Sequence, residues 1–305
     1  MRNSSKGRRW VGGVGMTLLI ATAAMAQTAG PDKSSITTLR DIEYVPGGHE
    51  RQKLDLYLPK TDESRSPAKR PLIVWIHGGA WLAGSKDDCP AVRFVHDGYA
   101  VASINYRLSQ HAVFPAQIQD CKAAIRWLRA NADKYGIDPD RFGVWGASAG
   151  GHLAALVGTA GDVNDFDVGP NAGVSSRVQA VCDFFGPTDL TKMGDFPSVI
   201  NHDAADAPEA KLIGGPVQEN KDKAQRANPI AYVTKDDPPF LIVHGDKDPL
   251  VPHNQSELLC DTLIRASVTV TFHTVQGGGH GGFKDPQVDP LVAEFFKRHL
   301  GKGVR

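Results

Sequence analysis

Six segments of this chain are continuously apolar: Pro71 to His77, Tyr99 to Asn105, Arg141 to Trp145, Val178 to Phe184, Pro239 to His244 and Val268 to Val275. A strand with one face in water alternates polar and apolar residues, so strands apolar on both faces belong in a sheet covered on both sides. Amphipathic stretches separate them. The clearest runs from Pro115 to Tyr135, with Ile118, Cys121, Ile125, Leu128 and Ala132 at helical spacing and Gly136 and Pro139 as its stop. Asn254 to Ala266 and Pro290 to His299 read as two further covering helices. Upstream, Ile36 to Val45 and Arg51 to Leu58 read as an antiparallel hairpin turning at Pro46-Gly47-Gly48. Strands alternating with helices predict an α/β fold: a mostly parallel, doubly wound sheet behind an antiparallel N-terminal hairpin.

One stretch breaks the rhythm. Residues 187–229 are rich in Asp, Pro, Gly and Asn with short apolar patches, and they follow the carboxyl end of a sheet strand. Open α/β sheets bind ligands at that edge, so the stretch reads as a small cap or lid over a crevice, with a plain surface insertion as the alternative.

The first residues differ from the rest of the chain. Lys6, Arg8 and Arg9 precede the apolar run Trp10 to Ala24, and Ala24-Met25-Ala26 offers the small residues a signal peptidase requires. Met1 to Ala26 therefore reads as a cleaved signal peptide, which predicts a secreted or periplasmic protein and leaves 27–305 as one catalytic domain. Cleavage takes 34 basic against 34 acidic residues to 30 against 34, a mild negative charge. The chain shows no basic stripe, no zinc-type Cys/His spacing and no dinucleotide-binding glycine fingerprint, which argues against nucleic acid, structural metal and NAD. No stable membrane association is expected after cleavage. Cys89, Cys121, Cys182 and Cys260 allow disulfides in an oxidising compartment or inert core thiols, and spacing does not choose between them.

The chemistry starts at Gly146-Ala147-Ser148-Ala149-Gly150, a G-x-S-x-G pentapeptide between a predicted strand and a small-residue helix, Ala149 to Val157. A serine on such a turn projects from the end of the sheet, and the flanking glycines avoid backbone collisions. A serine hydroxyl needs a base, an acid to orient that base, and donors for the oxyanion. His280 lies in the glycine-rich loop Gly277 to Phe283 after the last strand and is the candidate base. Asp248 follows the strand ending at His244 and is the candidate acid, with Asp246 its competitor. His77-Gly78-Gly79-Ala80-Trp81 follows the first long apolar strand, so the amides of Gly78, Gly79 and Ala149 can form an oxyanion hole. Trp81 is a candidate for the substrate pocket and equally a packing residue. His77 and His152 read as loop-orienting, and Arg107 as a tie between loops. This chemistry requires no metal or cofactor.

The chain resembles secreted α/β-hydrolase esterases of the HGG(G/A)W type, near the hormone-sensitive-lipase-like and BD-FAE-like feruloyl/acetyl-xylan esterase groups. The matching residues are Leu54 to Tyr57, His77 to Trp81, Asn105 to Leu108, Phe114 to Ala116, Gly146 to His152, Phe185 to Asp189, His244 to Pro252 and Gly279-His280, and they cover nearly the whole mature chain. The order Ser148, Asp248, His280 is also that of α/β-hydrolases. One departure is Ala80, where many relatives carry a third glycine. The resemblance implies an α/β-hydrolase fold and a serine carboxylic-ester hydrolase acting on small-molecule or polysaccharide-linked esters, acetyl and feruloyl esters of plant polysaccharide among them. A prolyl-oligopeptidase-like peptidase shares the triad order, but such enzymes gate the site with a propeller that the roughly 35 residues between the signal and the end of the hairpin are too few to build. A catalytically dead binding protein on the same scaffold is the third reading.

Overall fold

The structure, a computed structural model, describes residues 36–60 and 69–301. The proposed signal peptide lies outside them. Among the described residues the strands are β1 (Ile36–Glu43), β2 (Lys53–Pro59), β3 (Arg70–Ile76), β4 (Ala100–Ile104), β5 (Ile137–Ala147), β6 (Ala180–Phe184), β7 (Phe240–Gly245) and β8 (Val270–Val275), joined in one sheet in the order β1-β2-β4-β3-β5-β6-β7-β8. β2 runs antiparallel to both of its neighbours, and every pairing from β4 to β8 is parallel. This is the α/β-hydrolase fold with its antiparallel hairpin.

Side chains alternate across a strand, and in β3 to β7 both sets are largely buried, whereas the edge strands β1 and β8 are only partly covered, so the expectation that Val268 to Val275 is apolar on both faces does not hold. Val74, Ile76, Val144 and Ile242 pack against α1 (Ala116–Ala130), α2 (Ala149–Thr159) and α5 (Asn254–Arg265) through Ile118, Ile125, Leu128, Leu153, Leu156, Leu259 and Leu263. Ile73, Trp75, Trp145 and Leu241 face the other way, onto Phe94 and Val95 of a 3-10 turn and Val292, Phe296 and Leu300 of α6 (Val288–Leu300). The continuous apolar runs follow from this double cover.

The first predicted helix is shorter than its apolar spacing implies. α1 stops at Ala130 because the Asn131 side chain donates to the Trp127 carbonyl at 2.8 Å, and a separate 3-10 turn, Asp133–Tyr135, leads into Gly136 at φ 64°. Residues 187–229 also differ from a loose loop. They hold α3 (Pro208–Ile213), α4 (Lys221–Ala227) and short 3-10 turns, and their Leu190, Met193, Leu212, Ile213 and Val217 are buried, most of them in the α1/α2 core. The insertion is also bonded to the loop after β7: Val199 N–H donates to the Pro249 carbonyl at 2.8 Å, and His202 Nε2 lies 3.1 Å from the Leu250 carbonyl. The four cysteines are free thiols, and Cys121 and Cys182 are wholly buried. No helix among the described residues is long and apolar enough to cross a membrane.

Candidate active site

β4 and β5 flank β3 on opposite sides, so the loops leaving β3 and β5 rise side by side at the carboxyl edge of the sheet. Ile76 of β3 is in register with Gly146 of β5, which sets His77-Gly78 beside Ala147-Ser148. A Cβ on Gly78 would lie 2.8 Å from the Ala147 carbonyl oxygen and 3.3 Å from the Ser148 Cβ, so the candidate oxyanion loop touches the serine turn.

Ser148 itself has φ 57° and ψ −124°, a conformation costing on the order of 1–3 kcal/mol for a residue with a side chain. The surroundings hold it there. Its amide donates to the Phe184 carbonyl at 2.8 Å, its carbonyl accepts from His152, and α2 starts at the next residue. A side chain on Gly146 would collide with the Gly150 carbonyl, and one on Gly150 with the Ile76 carbonyl. The pentapeptide needs both glycines for the reason its sequence suggested. The amide of Ala149 begins α2, where free N–H groups and the helix dipole favour negative charge.

The candidate base and acid are joined. His280 Nδ1 lies 2.7 Å from Asp248 Oδ2, and the Asp248 carboxylate is fully buried. Its other oxygen accepts from the amides of Leu250 at 2.8 Å and Val251 at 3.0 Å. Burial alone would raise this carboxyl, but the hydrogen bonds from His244 and His280 outweigh it and hold the group well below the usual carboxylate range. An ionised Asp248 fixes the proton of His280 on Nδ1 and leaves Nε2 free to act as a base. Asp246, the competitor, instead accepts from the Gly277 amide at 2.6 Å and serves the glycine loop. Among the described residues the Ser148 hydroxyl forms no hydrogen bond with His280; the Ser148 amide is bonded to the Phe184 carbonyl, and His280 packs on the ring of the next residue, Phe185.

Two neighbours of this pair were given no role in the sequence reading, although both lie in stretches that carry the family resemblance, His244 to Pro252 and Phe185 to Asp189. His244 Nε2 lies 3.2 Å from Asp248 Oδ2 and 3.1 Å from the Val251 carbonyl, so it donates, while its Nδ1 accepts from Ser256 Oγ at 2.8 Å. Burial lowers its pKa, which keeps the ring neutral in that tautomer. The spacing of His244 and Asp248 across the strand-to-loop turn was the available clue. Phe185, at φ 43°, packs its ring 4.6 Å from that of His280, and its place at the head of the stretch Phe185 to Asp189 was the available clue.

The remaining candidates separate. Ala80 and Trp81 both adopt left-handed backbone, φ 54° and 56°, so alanine occupies a conformation that suits the glycine of many relatives, at about 1–2 kcal/mol. The expectation of a substrate-facing Trp81 is corrected: the residue is 1% exposed, and its indole N–H donates to His152 Nδ1 at 3.2 Å. It has almost no surface left for a ligand. His152 Nε2 in turn donates to the Ala227 carbonyl at 2.7 Å, so this buried histidine ties the candidate oxyanion loop to the insertion, and burial pushes its pKa down to about 4. Arg107 forms a two-pronged pair with Asp120, 2.9 and 2.8 Å, and so ties its loop to α1 rather than to another loop. No group of three or more His, Cys, Asp or Glu among the described residues is placed to hold a metal ion.

Comparison with known proteins matches this architecture. The chain is 33% identical over 259 residues, 83% of its own length and 59% of the relative's, to the esterase LipQ of Mycobacterium tuberculosis. LipQ and its mycobacterial relatives LipC and LipM are longer proteins, and the chain spans about half to three-fifths of them. Its structure superimposes on a truncated carbohydrate esterase from gut microbiota with a TM-score of 0.81 and 37% identity, covering 90% of this chain and 100% of that one. An acetyl ester-xyloside bifunctional hydrolase from Caldicellulosiruptor lactoaceticus gives a TM-score of 0.69 and 26% identity, covering 82% of this chain and 89% of that one. The BD-FAE family profile matches residues 54–263, the span from the second strand of the hairpin through the serine turn and the Asp248 loop, and the chain belongs to that family.

Proposed function

We propose that this protein is an exported serine esterase whose nucleophile is Ser148. In this reading Ser148 Oγ attacks the ester carbonyl carbon while its proton passes to His280 Nε2. The amides of Gly78, Gly79 and Ala149 receive the oxyanion, and Asp248 stabilises the imidazolium. Collapse of the tetrahedral species expels the alcohol, which takes the proton back from His280. Water, activated by the same ring, then attacks the acyl-enzyme and releases the acid. Bringing the hydroxyl onto Nε2 belongs to the substrate-bound state, as catalytic hydrogen bonds commonly tighten there.

The observation that carries this reading is the buried, ionised Asp248 paired at 2.7 Å with His280, on the rim that also holds the strained serine turn. The likeness to carbohydrate esterases supports acetyl or feruloyl esters of plant polysaccharide as substrates. The insertion at 187–229, bonded to the Asp248 loop, acts as a fixed cap that shapes the pocket rather than as a swinging lid. Export by Met1–Ala26 completes the proposal. The test is hydrolysis of acetylated xylan, methyl ferulate and p-nitrophenyl esters of increasing chain length by the mature protein and by Ser148→Ala. Turnover of short acyl esters that disappears in the variant is expected; equal rates for the two would refute the assignment.

A further inference from the structure

We propose that Arg51 is a positioning residue of the oxyanion hole, acting through His77 to fix the aim of the Gly79 amide. The inference rests on the esterase reading above. Arg51 lies in the hairpin turn just before β2, far in sequence from the loop it holds. Its Nε donates to the Tyr106 carbonyl at 2.8 Å, and its Nη2 donates to the Gly84 carbonyl at 2.9 Å and approaches His77 Nε2 at 3.0 Å. A weaker contact reaches Asn105 Oδ1 at 3.4 Å. A guanidinium only donates, so His77 Nε2 has to accept, and the ring proton is confined to Nδ1.

That proton has one destination. His77 Nδ1 lies 2.7 Å from the carbonyl oxygen of Gly78 and donates to it. The Gly78 carbonyl and the Gly79 N–H belong to one planar trans peptide, so pinning the oxygen fixes the direction of the hydrogen. The chain makes room for this bond. A Cβ on Gly84 would stand 2.5 Å from the Gly78 oxygen and 2.6 Å from His77 Nδ1. Tyr106 holds the ring from its face, stacked at 4.4 Å, and its hydroxyl donates to the His77 carbonyl at 3.0 Å. Burial pushes the His77 pKa down to about 4, with the nearby Arg51 charge acting in the same direction. The wrong tautomer, with hydrogen on Nε2, would face a guanidinium and leave the Gly78 carbonyl free to rotate.

The proposal predicts a defect in the transition state more than in binding. Arg51→Gln is expected to lower kcat on p-nitrophenyl acetate about 10- to 100-fold with KM within about twofold, and to weaken inhibition by a trifluoromethyl ketone in proportion to kcat. Arg51→Lys, which supplies one donor to His77 without the fork, should recover part of the loss. A folded Arg51→Gln with wild-type kcat, or one altered only in KM, would overturn the proposal. Nitrogen NMR of the wild-type histidines, with His77 assigned by His77→Gln, gives a readout independent of how the Arg51 variants fold. Protonated Nδ1 and bare Nε2 at neutral pH are expected, and hydrogen on Nε2 contradicts the relay. Failure of the esterase reading is distinguishable, because the wild-type protein would then not hydrolyse the ester at all.

Discussion

Replacing Asp248 with asparagine separates the proposed orienting acid from every other part of the site. The carboxylate takes four donors: His280 Nδ1 at 2.7 Å and His244 Nε2 at 3.2 Å on one oxygen, and the amides of Leu250 and Val251 at 2.8 and 3.0 Å on the other. Asparagine has one oxygen for these four. If that oxygen stays with the two backbone amides, which cannot change their protonation, the NH2 group faces His280 and His244. His280 then presents a bare Nδ1 and carries its proton on Nε2, where it cannot accept the serine proton. Loss of the correct tautomer is worth roughly 10,000-fold in kcat, about 5 kcal/mol of barrier. The assay is kcat/KM on p-nitrophenyl acetate, with circular dichroism to confirm folding. Asp246→Asn is the control: its oxygen can still accept from the Gly277 amide, so its activity should stay within about twofold of wild type. An Asp248→Asn enzyme retaining a tenth of wild-type activity, or an Asp246→Asn enzyme showing the larger loss, would refute the assignment.

Trp81→Phe is expected to lower stability by roughly 1–3 kcal/mol in urea unfolding, because it leaves the buried Nδ1 of His152 without its donor, and to leave the chain-length preference for esters unchanged. A large shift in that preference would restore Trp81 to the pocket wall. pH dependence of stability follows from His77 and His152, both lowered from 6.5 to about 4. Between those values the unfolded chain binds protons that the folded chain refuses, so the thermal midpoint should fall as pH drops from 6.5 toward 4. Asp183 opposes this: burial raises its carboxyl from 3.8 to about 7, so the folded state holds a proton that the unfolded chain releases over that range. Asp183→Asn removes the opposition and keeps an oxygen for the Gly186 amide, so its midpoint should fall more steeply than wild type between pH 7 and pH 4.5. An equal or shallower fall would contradict the sign.

Much of this was written locally in the sequence. The continuous apolar runs placed the strands from β3 to β7, because a doubly covered sheet requires both faces to be apolar, as Ile73 and Val74 show by packing into opposite layers; the edge strand β8 lies where its run was read but is only partly covered. Ser148, Asp248 and His280 stood out as candidates because each follows a strand and their chain order is restrictive. What was hidden is non-local. Arg51 and His77 meet only because β2 is brought beside β4 and β4 beside β3. Trp81 looks like a pocket residue beside a glycine loop, and only its distance to His152 shows it to be packing. The insertion was illegible for a different reason: Leu190, Leu212 and Val217 are too sparsely spaced to give a periodic signal, yet the folded insertion buries each of them.

Whether Ser148 is the nucleophile is tested most directly by intact-mass and peptide-mapping analysis after reaction with a fluorophosphonate. A serine activated by His280 and Asp248 displaces fluoride and gains a single phosphonyl group. The adduct is expected on the peptide containing Ser148 in the wild-type protein, and it should be lost in Ser148→Ala and strongly slowed in Asp248→Asn. An unreacted wild-type protein, or an adduct mapped to another residue, would contradict the account.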